Sequence, residues 1–183
     1  MSELQLIASL SEVETSWDLA AYFFSGDCQV NLERYGLHGQ RLKNLSRTVS
    51  RGGSFQSRSY THGFKADIAW TGKCAIDIEL VNEAPAGWDI HNPSFQSSIL
   101  KPGEYQRLCE SPNARANYLP TLIWSSKEAL AKALGDARDY EPRHLDSPLL
   151  WNADDSNWDF EYRIFRVGNR ELLLCVVREK SKP

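Results

Sequence analysis

The stretch Thr121-Leu-Ile-Trp-Ser-Ser-Lys-Glu-Ala-Leu-Ala-Lys-Ala-Leu-Gly135 decides how this chain is read. Leu122, Ile123, Leu130 and Leu134 recur at spacings that lay one apolar stripe along an α-helix. Pro120 suits the first helical position and Gly135 the residue just past the last, so both ends carry their own signals. Within the helix Glu128 and Lys132 lie four apart and share a face, with Trp124 and Lys127 a turn earlier. On its own such a couple is an ordinary ion pair on a solvated surface, contributing about 0.2–0.5 kcal/mol. What it means depends on what the rest of the chain brings to that face.

Upstream, Cys74-Ala-Ile-Asp-Ile-Glu-Leu-Val81 reads as a strand with clean alternation. Asp77 and Glu79 point to one side and Ile76, Ile78 and Leu80 to the other. Two neighbouring carboxylates repel unless positive charge lies between them, and a hard divalent cation is a usual remedy. The plain alternative is the solvent face of a hairpin. Phe64–Trp70 reads as a second strand, joined to the first through Thr71-Gly72-Lys73 as a hairpin. Downstream, Phe160–Arg166 and Glu171–Arg178 flank the turn signal Val167-Gly-Asn-Arg170, and the last strand is apolar enough to be buried on both faces.

The remaining stretches are less regular. Residues 3–24 read as a strand followed by a short amphipathic helix. Gly36–Ser59 has the Gly, Ser, Arg and Asn content of a long loop. Pro102-Gly103-Glu104 opens a short helix through Leu108, with Glu104 at its positive end. Residues 136–159 are polar and broken by Pro142 and Pro148. Strand, hairpin, helix and hairpin in this order predict an α+β protein, with two loosely similar halves.

The chain has 183 residues, enough for one good core and too few for several domains. A net charge of −3 argues against a nucleic-acid or anionic-membrane binder. Residues 1–27 carry five acids and no Lys or Arg, whereas 28–74 hold eight basic residues against Glu33 and Asp67. That basic segment is a candidate anion-binding surface. Cys28, Cys74, Cys109 and Cys175 show no CxxC and no zinc-like spacing, which predicts reduced thiols packed as small hydrophobes. No apolar run approaches membrane-spanning length and no secretory leader pattern appears, so a cytoplasmic protein is expected.

Taken together, Thr61-His62, Asp77-x-Glu79 and Trp124-x-x-Lys127-Glu128-x-x-x-Lys132 resemble, in content and order, the 4′-phosphopantetheinyl transferases of the larger monomeric class. The family's Ser-His pair appears as Thr61-His62. Its Gly-(Val/Ile)-Asp-(Ile/Val)-Glu strand appears as Ala75-Ile-Asp-Ile-Glu79, and its Phe-(Ser/Thr)-x-x-Glu helix start resembles Ile99 to Leu108 around Glu104. The helix from Trp124 to Gly135 is similar to the family's Trp-(Ser/Thr)-x-Lys-Glu helix, and this is the most specific of the matches. The resemblance covers about residues 55–183. Ala75 and Thr61 depart from the family's Gly and Ser. The Gly-Lys-Pro turn of the first half has only Gly39-Gln40-Arg41 as a counterpart, so that half reads as shortened or rebuilt from the Arg41–Arg58 loop.

The resemblance implies a single transferase-like domain over 1–183, with halves near 1–83 and 84–183 of antiparallel strands packed with helices. It implies transfer of phosphopantetheine from coenzyme A to a serine of an apo acyl or peptidyl carrier protein, as in polyketide, peptide and fatty-acid synthesis. Asp77, Glu79 and Glu128 would hold Mg²⁺. Glu128 would be the base and Lys132 a point charge at the diphosphate. Thr61, His62, Lys127, Lys132 and Arg41 would bind coenzyme A. A monomer is implied, with neither nucleic acid nor membrane as partner. Two other readings compete: a transferase-like interaction module without activity, and a PD-(D/E)xK-type nuclease built on Asp67, Asp77 and Glu79.

Overall fold

The computed structural model describes residues 5–6, 17–18, 29–34, 57–81, 87–135, 140–152, 156–167 and 169–180. Among these, β1 (Gln5–Leu6), β7 (Trp158–Val167), β8 (Arg170–Glu179) and β6 (Cys74–Leu80) form one sheet in that order. A second sheet runs β2 (Trp17–Asp18), β3 (Gln29–Arg34), β5 (Phe64–Ala69), β4 (Ser57–Thr61). The described residues also form three α-helices, α1 (Pro93–Ile99), α2 (Glu104–Cys109) and α3 (Leu119–Leu134), and two 3-10 turns, Pro142–His144 and Pro148–Leu150. All strand pairs are antiparallel except β1 with β7. The architecture is thus a mixed α+β one, as the element order in the sequence predicts.

Alternation along β6 explains how the layers stack. Ile76, Ile78 and Leu80 join Phe64, Ala66 and Ile68 of β5, Val30 and Leu32 of β3, and Leu172, Leu174 and Val176 of β8 in one core between the sheets. The opposite face of the first sheet, with Ala75, Leu173, Cys175 and Val177, packs on Leu122, Ala129, Leu130 and Ala133 of α3. Leu119 and Ile123 of α3 meet Phe95, Ile99 and Leu108 in a third cluster. Because α3 is covered on both flanks, its apolar set is wider than one stripe, and Leu134 falls outside it at 42% exposed. Gly135 adopts φ 89° at the helix end, a left-handed conformation that glycine tolerates without strain.

The hairpin over 158–179 forms as predicted, and Leu172–Val177 is buried on both faces. The hairpin between β5 and β6 does not. β6 pairs with β8 from Cys74↔Arg178 to Leu80↔Leu172, while β5 lies between β3 and β4. The physical reason is burial. Ile76, Ile78 and Leu80 gain more by facing Phe64, Ala66 and Ile68 across a sandwich than by lying beside them in one sheet. β5 instead makes its hairpin with β4, through a two-residue turn in which His62 (φ 39°) and Gly63 (φ 88°) both take positive φ, the geometry of a type I′ turn. Trp17–Asp18 is extended and paired to β3, where the sequence suggests a helix. A boundary near 83 also leaves β6, from the first half, in the sheet of the second.

β6 and β4 are each the edge of their own sheet, and the two edges adjoin. The Ser57 hydroxyl accepts from the Ile76 N–H at 3.2 Å, satisfying a backbone donor that has no ladder partner. Hydroxyls at Ser57, Ser59 and Thr61 all project from one face of β4 toward β6. This corner, roofed by α3, is where the acids lie.

Candidate active site

Asp77 is 2% exposed and faces α3. Its Oδ1 accepts from Ser59 Oγ at 2.7 Å and Lys132 Nζ at 2.6 Å, and its Oδ2 accepts from Ser125 Oγ at 2.7 Å. Lys132 Nζ also reaches Ser59 Oγ at 3.2 Å and stands 3.9 Å from Glu128 Oε2. Glu79 accepts from Thr61 Oγ1 at 3.3 Å and from the side chain of Trp124. Glu128 Oε1 accepts from the Tyr140 hydroxyl at 2.6 Å. Two acids of β6 and one from α3, some fifty residues on, therefore gather round one ammonium.

The electrostatics follow from this crowding. Burial, reinforced by the neighbouring Asp77 charge, pushes the Glu79 carboxyl up to about 7 from a usual 4.5, although Lys132 pulls the other way. Burial would depress the Lys132 ammonium, yet Asp77, Glu128 and Glu79 together hold it above its usual value. Burial and the Glu128 carboxylate push the Tyr140 phenol up, so its hydroxyl remains a donor. Burial also raises the thiol of Cys175, the cross-strand neighbour of Asp77, which keeps it protonated and poor as a nucleophile.

A raised carboxyl has a consequence for stability. Between the unfolded value of 4.5 and the folded value of about 7, the folded chain holds a proton at Glu79 that the unfolded chain has lost. Stability from this group is therefore full below 4.5 and is lost as pH rises through about 7. In EDTA, the unfolding free energy of the wild type should decline relative to a Glu79→Gln variant across that window. A pH-independent difference between the two would refute the perturbed state of Glu79.

The corner has the donor chemistry of a hard-cation site: three carboxylates, one of which resists ionisation through burial and the neighbouring Asp77 charge. Among the described residues, however, no three acidic, His or Cys side chains already stand as a ligand set. Both Asp77 oxygens are engaged by Ser59, Ser125 and Lys132, and the Lys132 ammonium is the cation of this arrangement. In donor chemistry, though not as a formed ligand set, these oxygens suit a hard divalent ion.

Of the other residues singled out in the sequence, Thr61 is buried beside Glu79 and His62 lies at the rim. The Thr61 hydroxyl links Glu79 to the His62 ring, 3.1 Å away, and His62 is exposed at the tip of the β4–β5 turn. Arg170 Nη1 donates to the His62 carbonyl at 2.9 Å, tying this tip to the first sheet. Arg41 lies outside the described residues. Lys127 requires a correction. It is fully buried, and its Nζ donates to Glu104 Oε2 at 2.6 Å, the Ile99 carbonyl at 2.8 Å and the Pro142 carbonyl at 3.1 Å. An ammonium with three buried acceptors is not a surface phosphate ligand, so Lys127 is a structural residue. Glu104, in the first turn of α2 as the sequence predicts, is its buried partner: the carboxylate accepts from the backbone N–H of Lys101 and Ser147 besides Lys127.

Asp67 does not join the corner. Phe64, Ala66 and Ile68 face the core, so Asp67 lies on the other side of β5, paired to Arg58 at 2.9 Å and to Lys65. The acidic trio of a nuclease is therefore not assembled. Ser59, Ser125 and Tyr140 were missed in the sequence. Period-two hydroxyls at 57, 59 and 61 were the available signal for the first. Ser125, one turn before Glu128, was visible only once β6 was placed under α3.

No curated protein matches the chain. The family model of the 4′-phosphopantetheinyl transferase superfamily matches residues 73–168, more than half of the sequence. The match takes in β6 with Asp77 and Glu79 and the whole of α3, and stops short of Thr61 and His62. Together with the order of the motifs and their meeting at one corner, it fixes the family: the chain belongs to the 4′-phosphopantetheinyl transferase superfamily.

Proposed function

We propose that this protein transfers the 4′-phosphopantetheine arm of coenzyme A to the serine hydroxyl of an apo acyl or peptidyl carrier protein. The observation that carries the reading is the gathering of Asp77, Glu79 and Glu128 round Lys132. The serine oxygen attacks the phosphorus bearing the pantetheine, the bond to the other phosphate breaks, and adenosine 3′,5′-bisphosphate leaves. Such a reaction needs positioning and neutralised charge more than covalent help from the protein.

Glu128 is the base that takes the serine proton, and the Tyr140 hydroxyl fixes its carboxylate. Lys132 offers a point charge to a diphosphate oxygen. Thr61, His62 and Arg41 are assigned to the nucleotide phosphates from the resemblance; the exposure of His62 supports its part in this, while Thr61 is buried against Glu79. Asp77, Glu79 and Glu128 would hold Mg²⁺, which when bound supplies charge neutralisation at the non-bridging oxygens. The unit of function is one domain over 1–183, acting as a monomer in the cytoplasm. Of its halves, 1–83 and 84–183, the first lends β1 and β6 to the sheet that holds β7 and β8.

Apo carrier proteins incubated with coenzyme A, Mg²⁺ and this protein should gain the mass of the phosphopantetheine arm on one serine. An unchanged mass across a panel of acyl and peptidyl carriers would instead favour an interaction module. The full occupancy of the Asp77 oxygens is the observation on that side. Stabilisation by coenzyme A with Mg²⁺ but not by either alone would separate the two readings before any carrier is found.

A further inference from the structure

Two lysines on α3, five residues apart, differ in how they are held. Lys127 is fully buried, fixed by acceptors on every side. Lys132 keeps a side chain 20% exposed, and its contacts lie at one end of a stem of four rotatable methylenes. Its partners differ in the same way. Asp77 and Ser125 are 2% and 0% exposed and bonded to each other, whereas Glu128 is 19% exposed. Any change of arrangement at this corner that spares the core has to come from Lys132 and Glu128. The corner also holds more negative charge than one ammonium neutralises, since Asp77 and Glu128 both face it, at 2.6 and 3.9 Å.

We propose that Lys132 is a displaceable internal counter-ion: without ligands its ammonium occupies the neutralising position on Asp77 Oδ1, and it vacates that oxygen for the diphosphate when a divalent cation binds. The inference rests on the transferase reading and adds a coupling to it. Lys132 next to an incoming dication is repelled, so the ion binds the free protein weakly. A diphosphate gives the ammonium somewhere else to go. Metal and coenzyme A therefore bind cooperatively, and the coupling passes through one side chain while the backbone of α3 stays in place.

Mn²⁺ binding, followed by electron paramagnetic resonance or calorimetry on the full chain, tests this. Without coenzyme A, Lys132→Met should bind Mn²⁺ at least about 10-fold more tightly than the wild type, a coupling of ordinary size. Coenzyme A should tighten Mn²⁺ binding in the wild type and do so less in Lys132→Met. Equal or weaker Mn²⁺ binding by the variant overturns the proposal and leaves the transferase reading standing if the carriers are still modified. No Mn²⁺ binding by either protein, with or without coenzyme A, overturns both. Should Lys132→Met fail to fold, the wild type alone decides. The ζ-ammonium resonance of Lys132, held by Asp77 in EDTA, should lose its protection from exchange when Mg²⁺ is added, and an unchanged resonance at saturating Mg²⁺ refutes displacement.

Discussion

Replacing Glu128 with Gln is expected to slow phosphopantetheine transfer by roughly 10²–10⁴-fold, the range in which positioned proton transfer contributes. The substitution keeps the size of the side chain and an oxygen able to accept from Tyr140, whose hydroxyl is 2.6 Å away. What disappears is the negative charge and the ability to take a proton. The fold should survive, because the partly exposed pair of Glu128 with Lys132, at 3.9 Å, is the kind that contributes at most about 1 kcal/mol. The loss should fall on kcat, with KM for the carrier protein within a few-fold of wild type, since the interaction is used as the serine proton departs. Near-normal turnover in Glu128→Gln would take the base role from this residue. Glu128 is a sharper probe than Asp77, whose removal would strand the donors of Ser59, Ser125 and Lys132 in a buried corner and mix a folding defect into any rate.

The alternation in Cys74–Val81 correctly put Asp77 and Glu79 on one face, because period two is a property of the strand itself, independent of its partner. The partner was wrong for the same reason. Nothing local in Phe64–Trp70 or Cys74–Val81 distinguishes two strands side by side from two strands face to face across a core. The short strand Gln29–Arg34 was not recognised at all; its apolar Val30 and Leu32 are separated by polar residues whose role is set by pairing with β5. Glu128 and Lys132 were legible as neighbours through helical geometry. Their convergence with Asp77 was legible only through the family's motif order, because it depends on how α3 crosses β6. Tyr140 reaches the site through loop geometry, which one sequence does not encode in any short pattern, whereas the period-two hydroxyls at 57, 59 and 61 hint at Ser59.

Lys127 shows where a motif misleads. Sharing a helix with Glu128 and Lys132 made it look like a phosphate ligand, and the fold gives it another task. Lys127→Met is expected to destabilise the protein by about 3–5 kcal/mol, the usual consequence of removing one member of a buried pair. For a chain of this size that is a fall in Tm of roughly 6–20 °C. The cause is what stays behind. Glu104, 2% exposed, would keep a buried charge with only the N–H groups of Lys101 and Ser147 to answer it, and the carbonyls of Ile99 and Pro142 would lose their donor. Burial already pushes the Lys127 ammonium below its usual value, and Glu104 works against that shift. Exchanging both partners for apolar residues, as in Glu104→Leu with Lys127→Met, should recover much of the loss because no unpaired charge then remains. Transfer assayed well below the melting point should show KM for coenzyme A close to wild type in the single variant. If Lys127→Met instead left Tm unchanged and raised that KM, the ammonium would be meeting phosphate after all, and the buried anchor that fixes α2 and the Pro142 turn against α3 would have to be sought elsewhere.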